Sequence, residues 1–210
     1  MNFIPLTLLL LLTSLIQSLG QFKTTYYPNG KIKSEGSYSV KDTLKQGPWK
    51  YYFPTGKINS EGSYYNNKMH GEWRYYFLGG QLEKSESWKD GVQNGEHKEL
   101  YANGKLHKSI KYINGVYEGE WISCYENGKM KSHGFYKRGL PDSTWQSYSE
   151  SGNLIEDGKY KNGLQEGYFK LYHADGKQES EGNFANGQKV GEWIEYFEKK
   201  GKLKDRKVKY

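Results

Sequence analysis

The stretch that decides the fold runs from Trp49 to Glu72 and reads WKYYFPTGKINSEGSYYNNKMHGE. One interval of 24 residues leads from Trp49 to Trp73, and the same interval leads on to His97, Trp121, Trp145, Phe169 and Trp193. Two places before these residues stand Gly47, Gly71, Gly95, Gly119, Gly167 and Gly191, with Ser143 the one exception. Seven places after the first six stand Gly56, Gly80, Gly104, Gly128, Gly152 and Gly176; this column begins at Gly30 and ends, one residue late, at Gly201. Self-similarity at a fixed period marks an array of small supersecondary units. The units fill nearly the whole chain after residue 20 and leave no stretch for a separate catalytic domain.

Within the quoted unit, two short alternating segments flank Thr55-Gly56, and a second break falls at Asn66-Asn67. Later units break at Asn103-Gly104, Asn127-Gly128 and Asp175-Gly176, then at Asn114-Gly115, Asn162-Gly163 and Asn186-Gly187. Asn-Gly between alternating runs is a hairpin signal, because a type I′ turn needs positive φ at both central residues. Of 26 glycines, 24 fall into four repeat columns, which argues for structural placement rather than a phosphate loop. A two-residue loop at Thr55-Gly56 predicts Trp49 opposite Gly62, Gly47 opposite Tyr64 and Phe53 opposite Ile58. The same rule puts Trp121 opposite Gly134 and Phe169 opposite Gly182. Each hairpin is then expected to carry reciprocal aromatic–glycine pairs, the ring covering the glycine. His97 faces Ile110 as a compensated pair, whereas Trp73 faces Glu86, which does not fit.

The opposite face reads as polar. Lys50 faces Glu61 and Lys170 faces Glu181, cross-strand pairs worth about 0.2–1 kcal/mol each. A second aromatic column, Tyr52, Tyr76, Tyr148 and Tyr172, interrupts it, with Leu100 and Cys124 in the same place. With only 35% hydrophobic residues, a conventional globular core is not expected. The fold class is therefore all-β: an elongated single-layer antiparallel sheet of about seven tandem hairpins, each touching only its neighbours.

These columns resemble MORN-type repeats, in the variant where Y-x-x-G-K, E-G-x-Y-x-N-G and G-x-W recur every two dozen residues. The resemblance rests on YYPNGKIKSEGSY (Tyr26 to Tyr38), YFPTGKINSEGSY (Tyr52 to Tyr64), GEW (Gly71 to Trp73), YENGKMKSHGFY (Tyr125 to Tyr136) and HADGKQESEGNF (His173 to Phe184). It covers residues 26 to 197 and departs from the pattern at Leu44 to Gln46, Glu86, Ile110 and Ser143. It implies a hairpin array acting as a scaffold or binding surface for proteins, for itself or for phospholipid head groups. Bacterial relatives often carry an antitoxin label, but an exported chain would not meet a cytoplasmic toxin.

Residues 1–20 contain no charge, are rich in leucine and end in Ser18-Leu19-Gly20, small residues at the places signal peptidase reads. Cleavage near Gly20 and export to the periplasm, the outer surface or the medium are expected; an uncleaved anchor is the alternative. Cys124 is the only cysteine, so the fold has no internal disulfide. The net charge of +7 is concentrated at the C-terminal end, where Lys199, Lys200, Lys202, Lys204, Arg206, Lys207 and Lys209 outnumber Glu198 and Asp205. The expected organisation is a signal peptide (1–20), the repeat array (21–197) and a basic edge strand or tail (198–210).

No HExxH and no zinc-spaced Cys/His cluster is present. Successive repeats should lie about 9–10 Å apart, so His70, His97, His107, His133 and His173 do not converge. Cys124 is expected to face Lys131 and His133 to face Ile122, on one face, but no activating environment accompanies the thiol. Neither catalysis nor a cofactor or metal is expected. Two candidate binding features remain. Trp49, Trp73, Trp121, Trp145 and Trp193 form an aromatic column that either packs over glycines or offers ring faces to a glycan or extended peptide. The basic residues 199–209 either protect an exposed edge or bind anionic lipid or another polyanion. The reading is a non-catalytic exported scaffold for an envelope protein or for itself, with anionic lipid or glycan binding as the alternative and nucleic acid the weakest candidate.

Overall fold

The computed structural model describes residues 20–41 and 43–210. The expected signal segment therefore lies outside the described residues, apart from Gly20. Seventeen strands and no helix occur among the described residues, and every pairing is antiparallel. The chain divides into two compact units, one up to Val92 and one of Gln93–Tyr210.

The first unit holds β1 (Gln21–Tyr26), β2 (Ile32–Tyr38), β3 (Lys45–Tyr52), β4 (Ile58–Tyr65), β5 (Lys68–Tyr76) and β6 (Leu82–Lys89). The second follows with β7 (Val92–Leu100), β8 (Leu106–Ile113), β9 (Val116–Cys124), β10 (Met130–Lys137), β11 (Leu140–Tyr148) and β12 (Leu154–Lys161). It ends with β13 (Leu164–Gln165), β14 (Gly167–Tyr172), β15 (Gln178–Ala185), β16 (Gln188–Lys199) and β17 (Lys202–Lys209). Within each unit strands pack on those next to them in sequence, except that β12 packs on β14 past the two-residue β13, and among the described residues no second layer covers the sheet.

Two kinds of turn alternate, and only one is the expected type I′. Asn66-Asn67, Asp90-Gly91, Asn114-Gly115, Arg138-Gly139, Asn162-Gly163 and Asn186-Gly187 all have positive φ at both residues. The Thr55-Gly56 break differs: Phe53 N–H donates to Lys57 O and Gly56 N–H to Phe53 O, both at 2.8 Å. This is a three-residue loop, a type I turn closed by Gly56 in the left-handed region. Pro54, a natural second residue of a type I turn, is the signal for it. The expected Phe53–Ile58 pair is accordingly replaced by Tyr52 opposite Ile58. A one-residue bulge then restores the expected register, with Trp49 opposite Gly62, Gly47 opposite Tyr64 and Lys50 opposite Glu61.

The three-residue loops are stitched to one another. Asn29 Nδ2 donates to Pro54 O at 3.0 Å and Lys31 Nζ to Thr55 O at 2.6 Å. In the second unit Asn103 and Lys105 reach Glu126 O and Asn127 O in the same way, and Asn127 and Lys129 reach Glu150 O and Ser151 O. The N-G-K signature is thus a linkage between repeats.

Aromatic cover of glycine is present, but across the other interface. The Trp49 ring lies where a Cβ on Gly36 would be, at 2.4 Å, and Gly62 lies under Trp73 at 2.3 Å. Gly134, Gly158 and Gly182 lie under Trp145, Phe169 and Trp193. Each ring therefore covers the preceding hairpin rather than its own partner strand. What places it there is a bulge of two extra residues: Glu61 pairs Arg74 and Ser63 pairs His70, leaving Gly71, Glu72 and Trp73 against Gly62 alone. Gly71 has φ +73°, and nothing lies within 4 Å of where its Cβ would be. The glycine two places before the ring is therefore demanded by backbone conformation and not by a covering Tyr. Ser143 keeps the same conformation, with φ 64°, without being glycine.

The rings make one edge-to-face row in each unit. Tyr38–Trp49, Trp49–Tyr64 and Tyr64–Trp73 lie 5.1, 6.0 and 5.0 Å apart in the first. Tyr160–Phe169, Phe169–Phe184 and Phe184–Trp193 lie 5.7, 4.9 and 5.0 Å apart in the second. Full burial of a large apolar side chain contributes roughly 1.5–3 kcal/mol and an edge-to-face pair about 0.5–1.5 kcal/mol more, so this row is the core.

Substitution of Gly134 by Ala should cost about 1–3 kcal/mol through collision with Trp145. Ser143→Gly should instead stabilise by roughly 1 kcal/mol by relieving the left-handed backbone. Urea unfolding of the two variants reads both signs.

Candidate functional site

The Trp column is mostly internal. Trp49, Trp73 and Trp193 are buried at 3%, 2% and 0% exposure, whereas Trp121 and Trp145 are half-buried. Two of the buried rings are also capped from outside. Lys45 Nζ sits 4.5 Å from the Trp49 ring, 4.8 Å from Tyr64 and 5.2 Å from Tyr51, and hydrogen-bonds Tyr51 Oη at 2.6 Å. Lys189 Nζ sits 4.1 Å from Trp193. The ring faces expected to meet a ligand at Trp49, Trp73 and Trp193 are occupied by the protein itself.

Trp121 shows what glycine does elsewhere. Its predecessor across the interface is Ile110, which is buried at 1% exposure and takes the glycine place. The indole N–H of Trp49, Trp73 and Trp193 donates to a backbone carbonyl on the preceding strand, at Ser37, Ser63 and Asn183. That of Trp121 turns to Ser132 Oγ, at 2.9 Å. The expected His97–Ile110 register is present. Glu86, opposite Trp73, is buried, with Lys84 Nζ at 3.0 Å and an indole N–H from Trp88 at 3.3 Å.

Beside the first unit's ring row lies a shallow cleft of about 430 Å³, bordered by Tyr51, Ser60, Tyr64, Met69, Trp73 and Tyr75. Burial pushes the Tyr51, Tyr64 and Tyr75 hydroxyls up from their ordinary pKa, so they act as neutral donors and acceptors. On the opposite face Tyr52 donates to Glu35 and Tyr76 to Glu61. Burial, reinforced by the Glu35 carboxylate, pushes the Tyr52 hydroxyl up to about 12.

Each histidine has an acidic neighbour. His70 meets Asp90 at 3.5 Å, His133 meets Glu120 at 2.9 Å and His173 meets Glu179 at 3.8 Å. His97, His107 and Lys108 gather around Glu99 at 2.9, 3.3 and 2.8 Å. Burial alone would raise the Glu99 carboxyl, but hydrogen bonds from Lys108 and His97 outweigh it and hold the carboxyl below its usual range. Among the described residues no group of three or more His, Cys, Asp or Glu is placed to hold a metal ion. Cys124 faces Met130 rather than Lys131, because Lys131 falls in a bulge. Burial pushes its thiol up, away from the thiolate. His133 faces Ile122 as expected and is engaged with Glu120.

The basic segment is an ordered strand. Residues 199–209 close the β16–β17 hairpin through a two-residue turn at Lys200-Gly201, with φ 52° and 70°. This shorter turn is why the last glycine of its column comes one residue late. Arg206 is bound to Glu195 at 2.8 Å and Lys207 to Glu192 at 2.7 Å. Lys199, Lys200, Lys202, Lys204 and Lys209 are exposed and have no ion pair among the described residues. Nothing in the alternation of β17 distinguished the paired from the unpaired cations in advance, since the partners lie on β16.

The sequence matches the MORN repeat variant seven times, over residues 23–39, 45–67, 69–90, 93–114, 117–138, 141–162 and 165–186. The chain belongs to the MORN repeat variant family. MORN repeats are generally protein- or membrane-binding modules, built on a typically non-catalytic repeat fold. No relative among curated proteins matches the chain. The Tyr, Gly and Trp signature of this MORN chain encodes its loop linkages, its bulges and its buried rings.

Glu99 contributes stability above the ordinary carboxylate pKa of 4.5, and that contribution is lost as pH falls through its lower folded value. Glu99→Gln should therefore cost on the order of 1 kcal/mol at pH 7, and the gap from the parent should close toward pH 3. Unfolding midpoints measured across that range read the effect.

Proposed function

We propose that this chain is an exported, non-catalytic repeat scaffold that binds a protein partner in the cell envelope, or a second copy of itself. The supporting observation is the division of labour between ring row and last strand. The rings that could have bound a ligand are spent on joining repeats, while the β16–β17 hairpin keeps five exposed lysines without an ion pair among the described residues, three of them on β17. Single-layer repeat sheets hold large exposed surfaces rigid at little cost in chain, which suits a binding platform. Attachment to anionic lipid or glycan is the second reading. The same lysines favour it, with the cleft beside Tyr51 and Tyr75 as a place for a sugar ring.

The full chain, used as bait against the envelope fraction of its own cell and washed at rising salt, separates the two. A stoichiometric protein held at high salt is the expected result. Release of all bound material by salt, with lipid or glycan the only species recovered, would replace the scaffold reading with surface attachment. Intact mass of the native protein should show an N-terminus at Gln21; a retained residue 1 would overturn cleavage.

A further inference from the structure

Deepening the protein-binding reading, on which it rests, we infer that the outer edge of β17 is a docking strand for an acidic, extended segment of a partner protein. β17 pairs with β16 from Lys199 opposite Lys202 to Glu192 opposite Lys209. Within its unit β17 pairs and packs on β16 alone among the described strands. The N–H of Tyr210 points inward, donating to Gly191 O at 2.9 Å. Alternation along a strand then turns the N–H and C=O of Leu203, Asp205, Lys207 and Lys209 outward, a ladder of four residues open to a new strand.

Charge selects which strand. Inside the array several basic residues are answered by acids on the adjoining strand: Lys50 lies between Glu35 and Glu61, Lys111 faces Glu118, and Arg206 faces Glu195. Continuing that pattern outward from β17 calls for acids opposite Lys202 and Lys204, which face Lys199 and Phe197 on β16, and beside Lys209, whose opposite Glu192 is engaged by Lys207. A second copy of β17 would place lysine against lysine and is disfavoured. The first described strand, β1, carries Lys23 and no acid, so it does not supply the complement either. Lysines that block promiscuous edge pairing thus become a filter that admits an acidic strand.

The probe is a fluorescent ten-residue peptide of alternating Glu and Val, titrated onto the full chain by anisotropy. Saturable binding is expected, with a peptide of alternating Lys and Val failing to bind. Charge reversal in K202E/K204E/K209E should weaken binding at least about tenfold. The decisive variants are Asp205→Pro and Leu203→Pro, each of which removes one outward N–H without breaking a bond to β16. Asp205→Pro also makes the edge more positive, yet it should weaken binding about fivefold or more if main-chain pairing is used. Unchanged thermal unfolding certifies the fold of each variant.

Absence of saturable peptide binding by the parent chain would overturn the inference. Binding that survives both proline variants but not charge reversal would overturn strand addition in favour of plain charge attraction. Binding to phosphatidylglycerol vesicles and not to the peptide would assign the lysines to lipid. Self-association of the chain abolished by Leu203→Pro would assign the edge to a second copy. If an envelope partner is still captured by Asp205→Pro, the scaffold reading stands and the edge inference alone falls.

Discussion

The contact on which this structure depends is an aromatic ring lying over a glycine of the preceding hairpin. A single-layer sheet has no second sheet or helix to cover its apolar side chains. The rings must cover one another, and they can do so only if each sinks to the level of the neighbouring backbone. Glycine at positions 36, 62, 134, 158 and 182 opens that space, since any Cβ there would collide with the ring. The bulge before the ring swings it toward the space, and a left-handed residue, glycine everywhere but at Ser143, makes the bulge. Three columns of the repeat are thus one device.

That device governs what the protein can offer to other molecules. Trp49, Trp73 and Trp193 read on paper as a ladder of ligand-binding faces, but burial commits them to joining repeats. The polar face is similarly self-engaged, with Tyr52 on Glu35, Tyr76 on Glu61 and Tyr196 on Glu181. The loop asparagines and lysines donate to the next loop. Residues left over for recognition are those for which the array supplies no counterpart, and the largest such set is the lysine group of β17.

Irregular repeats test the same logic. Where Ile110 fills a glycine place, the indole N–H of Trp121 seeks a different acceptor. At the third ring position the place is held by His97, which binds Glu99 in a cluster with His107 and Lys108. A polar cluster in the ring row exchanges apolar burial for charge pairing.

The 24-residue period, the all-β class and the register of Trp49 with Gly62 were legible in the sequence. Strand periodicity, turn residues and glycine spacing are local properties that one chain segment displays by itself. The bulges, the three-residue loops and the identity of the glycine beneath each ring were not legible. A bulge moves the register by one or two residues without altering the alternation that reveals the strand, and Gly62 has a ring-bearing strand on either side. Which side wins is a matter of three-dimensional twist. The same holds for the cations: composition placed seven in the last segment, but only the pairing of β16 with β17 decided that Arg206 and Lys207 are neutralised and that five lysines remain, because an ion pair belongs to two strands at once.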